Sequence, residues 1–258
     1  MSAFDSDQWA VLADSLSLAR AGQPTPRHAL DTRQLLDVAR CRSILDELGP
    51  IIGSPSRAVT ASLLGKRLAF LVVSPSLYAM SMFDEGLDLR LDNCITDYTH
   101  HDGAWRSRLI LKSLATERPG TGERDPWRER IVEGIFAGHL APLWATLQAA
   151  SGIAPRILWE NTAVRVYSLY ERRIARLEGS ARRDQAMVDF RYLTHDAPPG
   201  VFGLTENPLA RYFFEPRKID LVAQSPKTVR VRKTCCLYFM ATQPAEYCST
   251  CPLLYPAA

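Results

Sequence analysis

The sequence has no strong charge excess, no long apolar run and no glycine-rich phosphate-binding motif, and each absence excludes a class of protein. A formal net charge of +3 over 258 residues is far below the basic excess of a dedicated nucleic-acid binder, so no nucleic-acid partner is predicted. The longest apolar stretch, residues 68–73, follows Lys66 and Arg67 and is much shorter than the ~20 apolar residues of a membrane span. The Gly-Thr-Gly segment at 120–122 has neither dinucleotide-binding nor P-loop spacing, so neither NAD nor flavin is expected to bind.

The N-terminal segment lacks the positive charge and the continuous apolar core of a secretory signal peptide. Asp5 and Asp7 stand where such a peptide carries cations, so a cytoplasmic protein is predicted. With 47% hydrophobic and 23% charged residues, the composition is that of an ordinary soluble globular protein. A chain of this length buries a sizeable core without covalent staples, so structural disulfides are not needed.

Cysteine is scarce except near the C-terminus. Six cysteines in a reducing compartment are more often thiols or metal ligands than disulfides. Cys41 lies on the apolar face of a predicted helix and Cys94 closes a predicted strand, so both are expected to be buried thiols. The other four fall within the last 24 residues, and composition gives no reason for that crowding.

Helical periodicity dominates the first three quarters of the chain and predicts a helix-rich α+β fold with a small antiparallel sheet. Capping residues and apolar spacing predict helices over 5–16, 31–48, 54–73, 74–83, 125–147, 155–177 and 180–192. The fifth of these is expected to break or kink at Pro142. Leucines alternate with charged residues over 87–92, which predicts a strand, and residues 105–112 are its expected partner across a turn at 101–103. Residues 116–125 are predicted to be a loop, and a short strand at 229–233 leads into the cysteines.

The cysteine motif is Cys235-Cys236, eleven residues, then Cys248-Ser-Thr-Cys251. Two thiolates three positions apart converge on one metal when the turn between them is tight, and the intervening Ser-Thr with a following proline suits such a turn. Four soft sulfur ligands indicate zinc or an iron–sulfur cluster. The adjacent pair favours a [2Fe-2S] cluster, because two irons accept thiolates from wider directions than a single zinc ion does. Zinc stays open as the alternative.

Three cations, Arg230, Arg232 and Lys233, precede the motif. Beside a cluster with net negative charge they would raise its reduction potential; alternatively, the alternating arginines form the solvated face of a strand. Four aromatic residues near the motif would either shield a cluster from water or simply pack: Tyr238, Phe239, Tyr247 and Tyr255.

Three segments resemble the FhuF-type ferric-siderophore reductases. Residues 231–236, Val-Arg-Lys-Thr-Cys-Cys, followed by Cys-x-x-Cys-Pro at 248–252, are similar to the C-terminal signature of that family. Residues 157–162, Ile-Leu-Trp-Glu-Asn-Thr, resemble a helix start of the family, and the Asn-Pro-Leu at 207–209 resembles a short motif before its last strand. The spacer between the cysteine pairs is one residue longer than is typical of the family. The resemblance covers most of the chain, and its specific part is the cysteine motif.

The resemblance implies a cytoplasmic oxidoreductase of iron transport that holds a [2Fe-2S] cluster on Cys235, Cys236, Cys248 and Cys251. It would pass one electron to the Fe(III) of an imported ferric siderophore and release Fe(II), with no catalytic residue beyond the cluster. The electron is expected from a separate donor similar to a ferredoxin or a flavin reductase. Residues 1–225 would form the substrate-binding main domain and residues 226–258 the cluster-binding segment. The alternatives are a non-catalytic, zinc-stabilised binding protein and an electron carrier that serves another enzyme.

Other polar residues have ordinary structural explanations beside functional ones. Through the resemblance, Trp159, Glu160 and Asn161 suit a contact to substrate or cluster; otherwise Trp159 belongs to the core and the polar pair to a solvated helix start. Five arginines offer either a patch for an anionic siderophore or an acidic redox partner, or a solvated helix face: Arg172, Arg173, Arg176, Arg182 and Arg183.

The histidines do not predict a metal site. His100 and His101 are expected in a polar, solvated turn. The remaining ones, His28, His139 and His195, lack ligand partners at metal-site spacing.

Overall fold

The computed structural model describes residues 4–22, 26–177, 181–219 and 227–255. Helices make up most of this part of the chain and confirm the helix-rich α+β prediction. In chain order they are α1 (Ser6–Ala10), α2 (Val38–Ile51), α3 (Arg57–Tyr78), α4 (Arg124–Ile135), α5 (Ala141–Ser151), α6 (Pro155–Tyr167), α7 (Ala181–Arg191) and α8 (Pro208–Tyr212).

The strands are short and form one four-stranded sheet and three two-stranded ribbons. They are β1 (Leu18–Arg20), β2 (Ala29–Asp31), β3 (Gly86–Leu87), β4 (Cys94–Asp97), β5 (His100–His101), β6 (Ala104–Trp105), β7 (Leu109–Leu111), β8 (Thr116–Glu117), β9 (Arg217–Ile219) and β10 (Lys227–Val229). The larger sheet has the order β1-β7-β4-β2. Its β4–β7 and β2–β4 pairs are antiparallel, and β1 joins β7 in parallel.

The central helix, α3, is longer than the sequence indicated. A break was predicted at residues 74–75, but the helix continues through Pro75 to Tyr78 and ends in a π-helical turn, Ala79–Phe83. Proline removes one helical hydrogen bond, and here nearly every side chain around it is buried, so packing offsets that loss. The combined helix Arg57–Phe83 is long and apolar enough to cross a membrane, but 78% of its apolar window is buried inside the protein, as in the core helix of a globular fold.

The core lies where α3 packs along α6, and α2 and α5 also pack against α3. Gly65 permits the close approach of the two central helices, because a Cβ added there would lie 2.6 Å from Cδ2 of Leu158 on α6. Both helices therefore run side by side through the middle of the molecule. Their adjoining faces provide the surface on which the cysteine segment lies.

Near the N-terminus, one predicted helix is split into a strand, a turn and a helix. Asp5 caps α1 as expected. Asp31 ends β2 and caps a single 3₁₀ turn, Thr32–Leu36, and it is Asp37 that caps α2. The predicted stop at residues 49–50 was also wrong by a short margin, because α2 contains Pro50 and ends at Ile51.

The predicted strand over 87–92 was placed too early. Leu87 pairs with Thr116 in a separate ribbon, and the strand that opposes β7 is β4. The predicted turn is confirmed: Asp102 and Gly103 have φ values of 50° and 71°, the left-handed pair that a two-residue β-hairpin requires. Residues 116–125 are a loop except for β8 and the first residues of α4.

The later helices agree with the sequence patterns. The predicted break near Pro142 is the π-helical turn Phe136–Leu140, after which α5 begins with that proline in its first turn. Pro155 opens α6 as predicted. Residue 180, the expected start of the next helix, lies outside the described residues, and α7 is described from Ala181.

The C-terminal segment differs from the strand that was expected there. The strand β10 covers Lys227–Val229 and pairs with β9, whereas residues 231–233 are irregular. The predicted boundary between residues 225 and 226 lies outside the described part of the chain. From residue 230 onward the chain runs over α3 and α6.

Candidate iron–sulfur site

The four C-terminal cysteines form two sulfur pairs. Sγ of Cys236 lies 3.8 Å from Sγ of Cys248, and Cys251 is close enough to Cys235 to add to the effect of burial, which raises the pKa of the Cys235 thiol. The backbone N–H of Cys251 donates to the carbonyl of Cys248 at 2.9 Å, which closes the tight turn predicted for Cys-x-x-Cys. Each member of the adjacent pair therefore meets a different member of that turn.

The backbone next to the adjacent pair also turns sharply. Leu237 has a φ of 62°, a left-handed conformation that is uncommon for a residue with a side chain. In this conformation its N–H donates to Sγ of Cys235 at 3.3 Å. The N–H of Arg232 donates to the carbonyl of Thr250 at 2.9 Å, so the approach to the first pair is bonded to the turn that carries the second.

The separation of one sulfur pair fits two thiolates on a single tetrahedral metal. Two thiolates on one tetrahedral metal stand ~3.8 Å apart, given a metal–sulfur bond of ~2.3 Å, which is the separation of Cys236 and Cys248. Within the described residues, no three His, Cys, Asp or Glu side chains lie close enough together to hold one metal ion. A [2Fe-2S] cluster requires two thiolates on each of its two irons, and Cys236 and Cys248 have the separation of one such pair.

Positive charge surrounds the buried pair. The hydrogen bond between Sγ of Cys236 and Sγ of Cys248, together with the cations Lys66 and Arg232, lowers the pKa of Cys236 to about 5. The same sulfur–sulfur hydrogen bond raises the pKa of Cys248. Nζ of Lys66 lies 3.9 Å from Sγ of Cys236. The two sulfurs therefore lie at the separation of two ligands of one metal, and the nearby cations favour the thiolate form that binds metal.

Glu160 on α6 anchors the segment in front of the cysteines. Its carboxylate is buried and accepts the backbone N–H groups of Lys233 and Thr234 at 2.6 and 2.7 Å, as well as the hydroxyl of Thr234. The sequence favoured a solvated pair at this helix start, and that expectation was wrong for both Glu160 and Asn161, each of which is 1% exposed. Trp159 belongs to the core, as expected.

A buried chain of hydrogen bonds links the cysteine segment to both central helices. Nη2 of Arg232 donates to Asn161 at 2.7 Å, and the amide of Asn161 donates to the backbone carbonyl of Ser62 on α3 at 3.2 Å. The hydroxyl of Ser62 donates to the carbonyl of Cys236 at 2.7 Å. Arg232 is only 5% exposed, so the alternative that it lies on a solvated strand face was wrong.

Two supporting residues, Ser62 and Lys66, were missed from the sequence. Both lie on α3, four positions apart and about 170 residues before the cysteines. A cation within the most apolar helix was the signal available, because a buried helix carries charge only where a partner meets it. From the sequence alone, this cation argued only against a membrane span.

The remaining sequence candidates lie away from the cysteine pairs. Cys41 and Cys94 are buried as predicted, and burial raises the pKa of each thiol, to about 11 and about 12. His100 packs edge-on against Trp105 within the β5–β6 hairpin. His139 is fully buried, and its Nδ1 lies 2.8 Å from the carbonyl oxygen of Leu89.

The four aromatic residues near the motif make different contacts. Phe239 and Tyr247 stack on each other with ring centroids 5.1 Å apart. Tyr238 lies under the ammonium group of Lys66, whose Nζ is 5.6 Å from the ring centroid. Tyr255 lines a cavity beside the cysteines.

That cavity has a volume of about 670 Å³ and lies between α6, the β9–β10 ribbon and the Cys-x-x-Cys turn. Cys248, Ser249 and Thr250 form part of its wall. Its size is within the ~300–1,000 Å³ typical of small-molecule sites. A ligand in it would touch the cysteine segment directly.

The five predicted arginines do not form one patch. Arg172 lines the cavity, whereas Arg173 lies over the ring of Tyr78 at 5.9 Å. Arg182 is bonded to Asp84. The two others, Arg176 and Arg183, do not line the cavity.

Fold and site together define a helix-rich α+β protein with four cysteines gathered in its C-terminal segment. Residues 62–219 match the family described as ferric iron reductase FhuF-like transporter, and residues 232–253 match the FhuF 2Fe-2S C-terminal domain. Because these matches span most of the chain, the protein belongs to the FhuF family.

Comparisons with curated proteins and with solved structures do not extend this family assignment. No curated protein matches the chain. Among solved structures, the aerobactin synthetase IucC from a hypervirulent pathotype of Klebsiella pneumoniae is similar, with a TM-score of 0.47 and 14% sequence identity. That similarity covers 73% of this chain and 35% of the synthetase, so the chain spans about a third of that enzyme's length.

Proposed function

We propose that this protein is a ferric-siderophore reductase that holds a [2Fe-2S] cluster on Cys235, Cys236, Cys248 and Cys251. It passes one electron to the Fe(III) of a siderophore complex and releases Fe(II) in the cytoplasm. The observation that carries the proposal is the approach of Cys236 and Cys248 to 3.8 Å, in a four-cysteine segment that matches the family's 2Fe-2S domain.

The proposed reaction requires no covalent chemistry from the protein's own residues. When bound, the cluster supplies one electron at a potential set by its surroundings. Hard oxygen ligands of a siderophore hold Fe(III) far more tightly than Fe(II), so a single electron weakens the substrate complex and frees the metal. Nothing in this step requires a covalent bond to the protein.

The residues of the chain position the reactants and tune the charge. Glu160, Asn161 and Ser62 hold the cysteine segment against α6 and α3. Lys66 and Arg232 place positive charge beside the sulfurs, which favours the reduced state and raises the reduction potential. The cavity beside Cys248 holds the substrate close to the thiolates, and short distance is what electron transfer needs most. A separate donor, ferredoxin-like or flavin-reductase-like, supplies the electron.

The first test is an anaerobic visible absorption and EPR spectrum of the purified protein, with iron and sulfide assays. We expect charge-transfer bands that bleach with dithionite, equal amounts of iron and sulfide, and an EPR signal on reduction. A colourless protein that contains zinc would refute the proposal and leave a structural metal site.

The second test is the reaction itself. The protein is reduced anaerobically, freed of excess reductant and mixed with ferric siderophores in a stopped-flow instrument, with an Fe(II) chelator present. Return of the oxidised spectrum together with chelated Fe(II) is the expected result. A reduced protein that no siderophore reoxidises would instead be an electron carrier for another enzyme.

A further inference from the structure

The cavity beside Cys248 has more positive charge than its own carboxylates neutralise. Among its described lining residues, the cations are Lys66, Arg165, Arg172, Arg230 and Arg232, and the carboxylates are Glu160 and Glu171. An enclosed basic surface of this kind attracts anionic ligands.

Both carboxylates are already engaged. The guanidinium of Arg230 makes two hydrogen bonds of 2.8 Å to Glu171. Glu160 accepts the backbone of the cysteine segment and lies 3.7 Å from Nε of Arg232. Neither carboxylate is therefore free to pair with the other cations.

Two of the remaining cations have no acidic partner. Nε of Arg165 is buried without any hydrogen-bond partner among the described residues. Burial and then the nearby charge of Arg232 lower the pKa of Arg165, and the charge of Cys236 only partly opposes this shift, as expected for a guanidinium that has no carboxylate partner. Arg172 is exposed at the mouth of the same cavity, and within the described part of the chain it has no ion pair.

The fifth cation faces the cysteines. Lys66 contacts Sγ of Cys236 and the ring of Tyr238. Arg165 and Arg172 are thus the cations left over for a ligand. A guanidinium binds a carboxylate through two parallel hydrogen bonds, and does so most strongly in a partly buried site.

We infer that this cavity selects ferric siderophores that carry a free carboxylate, with Arg165 and Arg172 as the residues that bind it. This inference rests on the proposed function and names its substrate class. The carboxylate fixes the orientation of the complex, and the iron-bearing part lies against the wall formed by Cys248 and Thr250. Neutral ferric complexes lack the group that these arginines bind.

The test measures binding without electron transfer. The probes are gallium(III) complexes of one linear trihydroxamate whose terminal amine is either acetylated or succinylated, so that the pair differs by one carboxylate. Gallium(III) is not reduced under these conditions. Titration calorimetry on the oxidised holoprotein is expected to give a dissociation constant about tenfold lower for the succinylated probe, an advantage that shrinks as salt is added.

Three variants assign the effect to the cavity. In Arg165→Gln and in Arg172→Gln, the advantage of the succinylated probe is expected to fall below about threefold. Arg176→Gln is the control: it removes the same charge from an exposed arginine that does not line the cavity, and the advantage is expected to remain. The visible spectrum and the iron content report whether each variant keeps its cluster. If Arg165→Gln loses its cluster, the binding result for Arg172→Gln decides the test, because Arg172 is exposed.

Equal affinity for the two probes, no binding of either, or an advantage unchanged in both cavity variants would overturn the inference. The proposed function is tested apart from this with the iron(III) forms of the same probes. Reoxidation at equal rates by both iron complexes, with no charge preference in binding, would leave a reductase without this selectivity. Selective binding of the gallium complexes, without reoxidation of the protein by the iron complexes, would support the carboxylate-binding site and refute the proposed reductase function.

Discussion

Each clustered cysteine is held by its partner sulfur and by at least one backbone hydrogen bond nearby. Sγ of Cys235 accepts the N–H of Leu237, and the carbonyl of Cys236 accepts the hydroxyl of Ser62. The carbonyl of Cys248 accepts the N–H of Cys251. These bonds fix the thiols before any metal binds, which reduces the ordering that cluster assembly requires.

We expect Cys235→Ser and Cys248→Ser proteins to lose most of their iron and sulfide, because an alcohol is a poor ligand for the cluster irons. Cys41→Ser is the matched control: its sulfur is buried in α2, far from the pairs, and this variant is expected to keep the cluster. Iron, sulfide and visible absorption are measured on proteins purified side by side. A Cys41→Ser protein without cluster would contradict the ligand assignment.

Buried His139 makes stability depend on pH. Burial lowers its pKa to about 4 in the folded protein, against ~6.5 in the unfolded chain. Between these values the unfolded chain binds a proton that the folded protein does not, so the unfolding free energy falls as pH falls. One such group lowers stability by about 2 kcal/mol between pH 7 and pH 5.

Urea unfolding at the two pH values measures this change, and in His139→Gln the difference between them is expected to be smaller by that amount. Glutamine keeps a donor for the carbonyl of Leu89, which lies 2.8 Å from Nδ1 in the native protein, and does not titrate in this range. An unchanged difference in the variant would show that other groups carry the pH dependence.

At the scale of elements, α3 and α6 together form the surface that receives the cysteine segment. Ser62 and Lys66 lie on α3, while Glu160 and Asn161 lie on α6. The close packing of the two helices at Gly65 sets the distance between these side chains. Positions in α3 and α6 that look like core in the sequence therefore act on a site far away in the chain.

We expect Glu160→Gln to weaken the hold on the cysteine segment and speed cluster loss. The variant replaces a buried carboxylate that accepts two backbone N–H groups and a hydroxyl by a neutral amide, at a cost of about 2 kcal/mol. The measurement is the decay of visible absorption under an iron chelator, expected to be at least tenfold faster than in the wild type.

The control for this variant is Glu133→Gln, since Glu133 is an exposed carboxylate on α4. Its cluster should decay at the wild-type rate. Equal rates in Glu160→Gln and the wild type would mean that the other contacts of the segment suffice to retain the cluster.

At the scale of the whole molecule, the body and the C-terminal segment are stabilised differently. The body has a continuous apolar core that runs from Phe4 to Tyr212. From residue 227 on, among the described residues, the buried apolar side chains are Val231, Cys236 and Cys251. Within the described residues, hydrogen bonds and ion pairs therefore account for most of the segment's attachment to the body.

Removing the cluster should therefore loosen the segment and leave the body folded. Hydrogen exchange of the apoprotein is expected to rise over residues 234–255, with α3 and α6 still protected, because the core lies elsewhere. The far-ultraviolet circular dichroism should change little. Exchange that rises throughout the chain would show that the cluster stabilises the whole fold.

The sequence by itself determined the helical class, the capping of α1, the helix start at Pro155 and the cysteine motif. These features depend on local spacing and on residue chemistry, which can be recognised in the sequence without knowledge of the tertiary contacts. The sequence pattern misplaced the strand at 87–92 and predicted a break in α3 at Pro75. Both errors have the same cause, because strand pairing and the packing that offsets a proline depend on contacts with residues elsewhere in the chain.

Only the tertiary structure decided what supports the cysteines. The buried contacts of Glu160 and Asn161 with the cysteine segment and the approach of Lys66 to Cys236 join residues far apart in sequence. A polar residue in a helix has the same local pattern whether it faces water or a partner. Which of the two it meets depends on packing, and packing is a property of the folded chain.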